Sequence, residues 1–245
     1  MAEGEVWLAG NVGGVMRIDD TVRRPVGRWT PAVHALLSFL APRVPSVPRV
    51  RGLDGGGREV LDFMPGRVID PKREVLTDGQ LVSLVSWTRK FHDAVLRFDH
   101  SGPWRYFPIR NATLIGHNDI APYNACFDGD ELVGVFDWDM AGPTNPPSEL
   151  AFVAWNCVPL WRDVGASAAA GRLSLIARTY GGFTAEQILL AVPERIGAMI
   201  DGIPVAADAG DIGMANLVAQ GEPDRSRVSL AGLVARIPDI LVALT

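Results

Sequence analysis

The 245-residue chain has little of several features that would narrow its function. It contains two cysteines, Cys126 and Cys157, which are far apart, lie in apolar surroundings and lack the spacing of zinc ligands. We therefore expect two buried, reduced thiols and no zinc site. There are 23 basic and 28 acidic residues, and the net charge of -5 gives no basic surface for nucleic acid. A cationic small molecule remains compatible with this charge.

Long apolar stretches are also missing. The longest, LAFVAWNCVPLW at residues 150–161, is shorter than the roughly 18 to 20 residues that a membrane span requires. The first residues, MAEGEVWLAG, are acidic and do not resemble a secretory signal. We therefore expect a cytoplasmic protein that does not enter the membrane. The sequence gives no indication of the oligomeric state.

What the chain does have is enough apolar material for a sizeable core, with 48% hydrophobic residues. Its pattern changes near Pro65-Gly66, where short β-like runs give way to helical spacing. We expect an α+β, bilobal fold, with a small β-rich lobe over residues 1–65 and a larger, mainly helical lobe over 66–245. The predicted strands are EVWLAG, GGVMRI, TVRRP and REVLDFM, and the predicted helices cover residues 30–40, 78–96, 148–155, 164–180, 184–200 and 227–244.

Strongly polar side chains concentrate around one short predicted hairpin. ACF and LVGVF, within residues 125–136, read as antiparallel strands joined by an Asp-Gly turn. Such a hairpin would bring Asn124 and Asp137 close together, with Asp119 in the loop before them. Carboxylate and amide oxygens are the ligands that Mg²⁺ prefers. A single acidic residue here favours a solvated turn position over a ligand, but the joint pattern favours a site.

This pattern resembles the aminoglycoside phosphotransferase and choline kinase family. HNDIAPYN, from residue 117, is similar to the family's catalytic loop H-G-D-x-x-x-x-N, and FDWD, from residue 136, to its metal motif I-D-W-[ED]. AGPTNPPSELAFVAW and VLDFMPG resemble the family's A-G-x-G-D-P-x-x-D-L-A segment and its interlobe hinge. The similarity extends over about residues 8–160 and is most specific at 115–152. It implies a protein-kinase-like fold.

The resemblance also implies roles for single residues. Asp119 would orient an acceptor hydroxyl and accept its proton, while Asn124 and Asp137 would hold Mg²⁺ against the phosphates of ATP or GTP. His117 joins the catalytic group and is expected to brace the loop. Asp139 either adds charge to the metal site or lies behind it. The implied reaction moves the terminal phosphoryl group to a hydroxyl of an aminoglycoside-like antibiotic or of an amine or sugar metabolite.

For the nucleotide, the predicted binding residues are Gly13, Gly14, Arg24, Asp62 and Met64. The GNVGG turn could cover phosphates with backbone amides, or it could be an ordinary hairpin turn. A Walker-type phosphate loop does not occur in the sequence. Asp62 and Met64 are assigned because they lie in the hinge-like segment.

The small lobe departs from the family pattern at a Lys–Glu pair. Arg24, or Arg23 beside it, stands where the family has lysine, and His34 stands where it has glutamate. A neutral histidine cannot anchor the arginine by an ion pair. This departure leaves an alternative open, a nucleotide-impaired or non-catalytic binding protein on the same fold. A hydrolase is a third possibility, but a recognisable nucleophile is lacking.

Acceptor recognition is expected from the helical lobe. Acidic residues there could attract amino groups, although solvated positions at helix ends and in loops are favoured for each one taken singly. They are Glu149, Asp201, Asp208, Asp211, Glu222 and Asp224. Trp155 and Trp161 could line a pocket or belong to the core.

Overall fold

A computed structural model describes residues 5–8, 14–99, 101–105 and 109–245. These residues form ten strands, seven α-helices and two short 3₁₀ turns. The strands are β1 (Glu5–Trp7), β2 (Met16–Ile18), β3 (Thr21–Arg24), β4 (Val50–Leu53), β5 (Glu59–Asp62), β6 (Arg67–Val68), β7 (Leu114–Gly116), β8 (Ala125–Asp128), β9 (Glu131–Val135) and β10 (Gly142–Thr144). The helices are α1 (Thr30–Leu40), α2 (Asp78–Val95), α3 (Pro146–Cys157), α4 (Ala166–Tyr180), α5 (Ala185–Asp208), α6 (Ile212–Ala219) and α7 (Glu222–Leu244).

The N-terminal region is a five-stranded antiparallel sheet in the order β1-β2-β3-β5-β4. In its register Arg24, at the end of β3, lies directly opposite Glu59, at the start of β5. Directly opposed side chains on neighbouring strands are close enough to form an ion pair. This register therefore places an arginine–glutamate pair at the end of the sheet.

Helix α1 packs its apolar face into the core, as its helical spacing predicted. The structure corrects one detail at its start. Thr30 is the first helical residue and the N-cap is Trp29, whereas the sequence suggested Thr30 as the cap. The Thr30 hydroxyl instead accepts a hydrogen bond from the backbone N–H of Gly27, at 2.9 Å, before the helix begins.

The predicted hairpin is confirmed. Strands β8 and β9 pair antiparallel through the Asp-Gly turn, and β6 lies on the other side of β8. At the open end of the hairpin, the N–H of Phe136 donates to the carbonyl of Asn124, at 3.0 Å. A second small sheet pairs β7 with β10, so that Gly116 lies opposite Gly142. The two sheets thus bring the residues after β7 next to both sides of the hairpin.

The remaining chain is helical, and its predicted helices are confirmed. The predicted Thr184–Gln187 capping box starts α5, with both reciprocal hydrogen bonds present, at 3.1 and 2.9 Å. Helix α5 extends further than predicted, through two internal prolines, to Asp208. The short helix α6 and the strands β4, β6, β7 and β10 were not predicted.

One continuous core includes the apolar face of α1 and those of the later helices. Trp138, which is almost fully buried, packs edge-on against Trp87 and Phe91 of α2. Its ring lies in the segment that follows β9, so the core directly supports the residues of the metal-like motif. Within the described parts of the chain, all helices are too short or too polar to cross a membrane.

Candidate active site

The loop after β7 presents Asp119. One carboxylate oxygen accepts a hydrogen bond from the amide nitrogen of Asn124, at 2.7 Å, and the other from the hydroxyl of Tyr123, at 3.1 Å. The Asn124 nitrogen also donates to the Asp119 carbonyl, at 3.0 Å. Asn124 is buried and Asp119 is half-buried. The five-residue spacing therefore closes a compact loop that fixes the orientation of the Asp119 carboxylate.

Asp137 stands at the other side of this loop, directly after the hairpin. It adopts a left-handed backbone conformation, with φ of 60°, which is uncommon for a residue other than glycine and more accessible to aspartate than to bulky residues. Its side chain is 49% exposed. Because Phe136 is bonded to Asn124 through the backbone, Asp137 and Asn124 leave the same end of the hairpin.

The carboxylates influence each other. Burial and, after it, the negative charge of Asp137 together raise the pKa of Asp119 to about 7, although hydrogen bonds from Tyr123 and Asn124 act in the opposite direction. Asp119 and Asp137 are therefore close enough to interact electrostatically. A carboxyl group with a pKa near neutrality can exchange a proton at physiological pH.

His117 is fully enclosed behind the loop. Its Nε2 lies 3.1 Å from the carbonyl of Phe136, its Nδ1 lies 3.3 Å from the backbone N–H of Asp119, and its ring packs against Trp138. The imidazole consequently joins the hairpin to the loop. Burial lowers the pKa of His117, which favours the neutral ring.

Glu149 of α3 supports the same loop from below. Its carboxylate accepts hydrogen bonds from the backbone N–H groups of His117, at 3.2 Å, and of Asn118, and it lies 3.0 Å from Nε2 of His92. His92 in turn contacts the hydroxyl of Tyr180, at 2.8 Å. Burial raises the pKa of Glu149, but the hydrogen bond from His92, the electrostatic interactions with the two histidines and the N–H of Asn118 outweigh it and hold the pKa below its usual value. Glu149 is therefore enclosed beneath the loop and does not face an acceptor.

Three more residues fix Asn118, whose backbone is left-handed, with φ of 63°. Its side-chain nitrogen donates to the carbonyls of Met140 and Gly142, at 3.2 and 3.1 Å. Its own carbonyl accepts a hydrogen bond from the guanidinium of Arg195 on α5, at 2.8 Å. The asparagine that replaces the family's glycine thus ties the loop to the segment before α3.

Arg24 reaches from β3 towards the metal-like motif. Its Nε bonds Glu59, at 2.5 Å, its Nη1 bonds Asp137, at 3.1 Å, and its Nη2 bonds Asp139. Burial alone would lower the pKa of Arg24, but the charges of Asp137 and Glu59 outweigh it and raise the pKa. One guanidinium therefore contacts three carboxylates from two parts of the chain.

Glu59 supplies the anchor that the sequence did not reveal. Its side chain is 2% exposed and lies between Arg24 and Nε2 of His34, at 2.8 Å. The expectation that His34 takes the place of the glutamate is corrected by this contact. His34 approaches Glu59, and Glu59 forms the ion pair with Arg24. In the sequence Glu59 looks like an ordinary strand residue, and only the sheet register identifies its partner.

The other predicted nucleotide residues have different surroundings. Gly13 lies outside the described residues. Gly14 has φ of +71°, and its carbonyl accepts a hydrogen bond from Arg58. Asp62 pairs with Arg51, at 2.6 Å, on the neighbouring strand. The carbonyl of Met64 lies 3.5 Å from the sulfur of Cys126. Their contact with a nucleotide stays a prediction.

The acidic residues suggested for the acceptor do not form one cluster. Glu149 is enclosed beneath the loop, and Asp211 accepts a hydrogen bond from Arg105, at 2.7 Å. Exposed Asp201 and Asp208 lie on α5. Glu222 and Asp224 occupy the first turn of α7 and pair with arginines on the same helix. Of the two tryptophans, Trp155 is buried in the core and Trp161 packs against it partly exposed.

The donor set is compatible with a magnesium ion. The Asn124 side chain makes both of its hydrogen bonds through its nitrogen, and among the described residues no donor approaches its amide oxygen. Asp137 is half exposed and uses one oxygen for Arg24. The described residues contain no group of three or more histidine, cysteine, aspartate or glutamate side chains arranged to hold a metal. Mg²⁺ needs only one or two carboxylates when phosphate and water supply the rest.

A loop built on Asp119 and Asn124, a hairpin ending in Asp137 and an adjoining arginine-bearing sheet together have the architecture of a protein-kinase-like fold. The comparisons with known proteins agree. The model of the phosphotransferase enzyme family matches residues 104–184. Trifolitoxin immunity protein from Rhizobium leguminosarum bv. trifolii is 32% identical over 171 residues. That alignment covers 65% of this chain and 64% of the immunity protein, just under two thirds of its length.

Solved structures share the fold over nearly the whole chain. A choline/ethanolamine kinase family protein from Mesorhizobium loti has a TM-score of 0.61 and 15% identity, covering 98% of this chain and 88% of that one. The GDP complex of wild-type aminoglycoside 2'-phosphotransferase-IIIa has a TM-score of 0.62 and 13% identity, covering 94% and 93%. The resemblance in fold to aminoglycoside phosphotransferases and choline kinases is therefore confirmed, together with the α+β, protein-kinase-like fold class.

Proposed function

We propose that this chain is an Mg²⁺-dependent phosphotransferase that moves the γ-phosphate of ATP or GTP to a hydroxyl group of a small molecule. The nucleotide would lie between a lobe of residues 1–65 and a catalytic lobe of residues 66–245. The observation that carries the proposal is the loop in which Asn124 and Tyr123 orient the carboxylate of Asp119 beside Asp137. A cytoplasmic location is compatible with the two buried free thiols.

In this proposal, Asp119 accepts the proton of the acceptor hydroxyl. Its raised pKa, about 7, suits a group that must take up a proton near neutral pH. The oxygen of Asn124 and the free oxygen of Asp137 would hold Mg²⁺, which neutralises phosphate charge when it is bound. Neutral His117 keeps the loop against the hairpin. Arg24, anchored by Glu59, adds a fixed positive charge for the phosphates.

The acceptor class follows from the relatives. An aminoglycoside phosphotransferase shares the fold, and the relative in sequence is named for immunity to trifolitoxin. We therefore propose an antibiotic-like acceptor, with amine and sugar metabolites as the further possibilities. Nucleotide consumption should be measured with aminoglycosides, trifolitoxin, choline-like amines and sugars in turn, with ATP and with GTP.

The decisive variant is Asp119→Asn, with exposed Asp128→Asn in the hairpin turn as the matched control. Loss of the base should lower turnover by about 10²- to 10⁴-fold, whereas the control should keep it. Full turnover in Asp119→Asn would refute the assigned mechanism. The unfolding midpoints of both variants should be compared, so that a loss of fold is not taken for a loss of the base.

The alternative, a nucleotide-impaired binding protein, is favoured by one contact. Arg24 already bonds Asp137, one of the two residues proposed to hold the metal. Calorimetry with nucleotide and Mg²⁺ separates the two functions. Absence of binding at millimolar nucleotide would favour the binding protein, and binding with turnover would favour the enzyme.

A further inference from the structure

Arg105 lies where three distant parts of the chain meet. Its Nε and Nη2 each bond one oxygen of Asp211, both at 2.7 Å, and its Nη1 lies 3.5 Å from Asp139. The guanidinium also stacks over the ring of Trp29, at 4.6 Å from the ring centre. The Arg105 side chain is only 9% exposed. A planar guanidinium can serve a two-point carboxylate contact and an aromatic ring at once, which an ammonium group cannot.

Each partner of Arg105 has a defined place in the fold. Trp29 is the N-cap of α1, beside the sheet, and Asp139 follows the candidate metal residue Asp137 by two positions. Asp211 is the N-cap of α6 in the helical region and accepts a hydrogen bond from the N–H of Met214, at 3.1 Å. The N–H of Met214 therefore holds the same Asp211 oxygen that accepts from Nη2 of Arg105. Arg105 thereby connects the start of α6 to the sheet.

The connection continues to Arg24. Asp139 uses one oxygen for Arg24 and faces Arg105 with the other, and its side chain is 17% exposed. Arg24 is held in turn by Glu59. Positive and negative groups thus alternate from Glu59 to Asp211 without a break. Their low exposure means that solvent screens these pairs less than it screens surface pairs.

We infer that Arg105 is a positioning residue, which holds the sheet against the helical region at the metal-like motif and thereby fixes Asp139 and Arg24 for nucleotide binding. The chain crosses between the two regions covalently at the segment after β5. Arg105 adds a noncovalent connection between the sheet and the helical region at the site itself, and we call this connection the crossing. Only the nucleotide consequence rests on the proposed function, because the crossing is a property of the fold.

The crossing can be measured without nucleotide. Spin labels at Leu53→Cys in β4 and Ser167→Cys in α4, both exposed positions, report the distance between the two regions. The native thiols, Cys126 and Cys157, are buried and should not be labelled. Arg105→Met should broaden the distance distribution. A distribution that equals that of the unsubstituted chain would overturn the inference.

Two further variants make this test specific. Asp211→Asn removes the charge that holds Arg105 but keeps a residue suited to cap α6, so it should also broaden the distribution. Arg227→Met removes an arginine from an exposed Arg–Asp pair on α7, whose side chains are 58% and 86% exposed, and should change nothing. If Arg105→Met does not fold, Asp211→Asn alone decides, and an unchanged distribution in it refutes the crossing.

Nucleotide affinity tests the second half of the inference. By calorimetry with ATP and Mg²⁺, Arg105→Met and Asp211→Asn should each bind at least about tenfold more weakly, and the double variant no more weakly than the worse single one. The nucleotide KM should rise while kcat at saturation changes little. Equal affinity in the variants, or fully additive losses, would overturn it. If the unsubstituted chain binds no nucleotide, the proposed function fails, and the distance measurement still decides the crossing.

Discussion

Glu149 offers the sharpest test of how the loop that carries Asp119 is held. We predict that Glu149→Gln destabilises the protein strongly, although glutamine has nearly the same size and shape as glutamate. The carboxylate is 1% exposed and meets three nitrogen atoms, the backbone nitrogens of His117 and Asn118 and Nε2 of His92. One of its oxygens takes two of these contacts, and the other takes one.

Glutamine keeps only one acceptor oxygen at this place. If its NH₂ group replaces the oxygen shared by His117 and His92, the imidazole can change tautomer, but the backbone N–H of His117 then faces a donor. If the NH₂ group replaces the other oxygen, the backbone N–H of Asn118 faces a donor instead. A buried N–H without an acceptor costs about 1 to 3 kcal/mol, and the lost charge weakens the remaining bonds. We therefore expect a loss of about 3 kcal/mol.

Urea unfolding followed by circular dichroism measures this loss. With a slope of about 3 kcal/mol per M for a chain of this size, the midpoint should fall by about 1 M. Glu131→Gln, at an exposed position of β9, is the matched control and should stay within about 0.5 kcal/mol of the unsubstituted protein. Equal midpoints for the Glu149 and Glu131 variants would refute the role given to Glu149.

The stabilising effect of Glu149 should also depend on pH. Because the folded-state pKa of Glu149 is lowered, its ionised form adds stability above the ordinary glutamate range, and this contribution disappears as the pH falls through the lowered pKa. The difference in unfolding free energy between the unsubstituted protein and Glu149→Gln should therefore be largest near neutral pH and shrink on acidification. A difference that grows at low pH would contradict this assignment.

Three further predictions concern the surroundings of the site. Gly116→Ala should destabilise the protein by about 1 to 3 kcal/mol in urea unfolding, because the added carbon would lie 2.4 Å from a methyl carbon of Thr144; an unchanged midpoint would mean that the strand shifts freely. Arg24→Lys should weaken nucleotide binding in calorimetry, because an ammonium lacks the planar fork by which Arg24 holds Glu59 and Asp139 at once, and retained affinity would refute the need for a guanidinium. Burial raises the pKa of Cys126 to about 11 and of Cys157 to about 12, so a chromogenic thiol reagent should react with neither in the native protein at neutral pH and with both after unfolding; a fast native reaction would contradict their burial.

Local sequence predicted the parts of the fold whose signals are local. The capping box at Thr184, the apolar spacing of α2 and the Asp-Gly turn of the hairpin each lie within a few residues, and all three are present in the structure. Strand β4 was missed because it is short, contains Gly52 at φ of +110° and pairs with an irregular register. Helix α6 was missed because it has only eight residues.

The candidate site divides in the same way. Asp119, Asn124 and Asp137 could be found because the loop and hairpin that join them are short. Glu59 and Arg105 could not, because their importance comes from partners 35 and 106 positions away in the chain. Nothing in the local sequence around a strand glutamate or a loop arginine predicts such a partner. Only the sheet register and the packing of α6 bring these pairs together.

The contacts of Arg24 also bear on whether the site can work as a catalyst. Of its partners, the Glu59 side chain is 2% exposed, whereas the Asp137 side chain is 49% exposed. Exposed ion pairs contribute about 0 to 1 kcal/mol, so giving up the contact with Asp137 costs little. Giving up the contact with Glu59 would leave that buried carboxylate with His34 alone beside it, which costs more than the loss of an exposed pair. Asp137 can therefore exchange the guanidinium for a cation while Arg24 stays anchored on the sheet, and the contact seen here does not require a nucleotide-impaired protein.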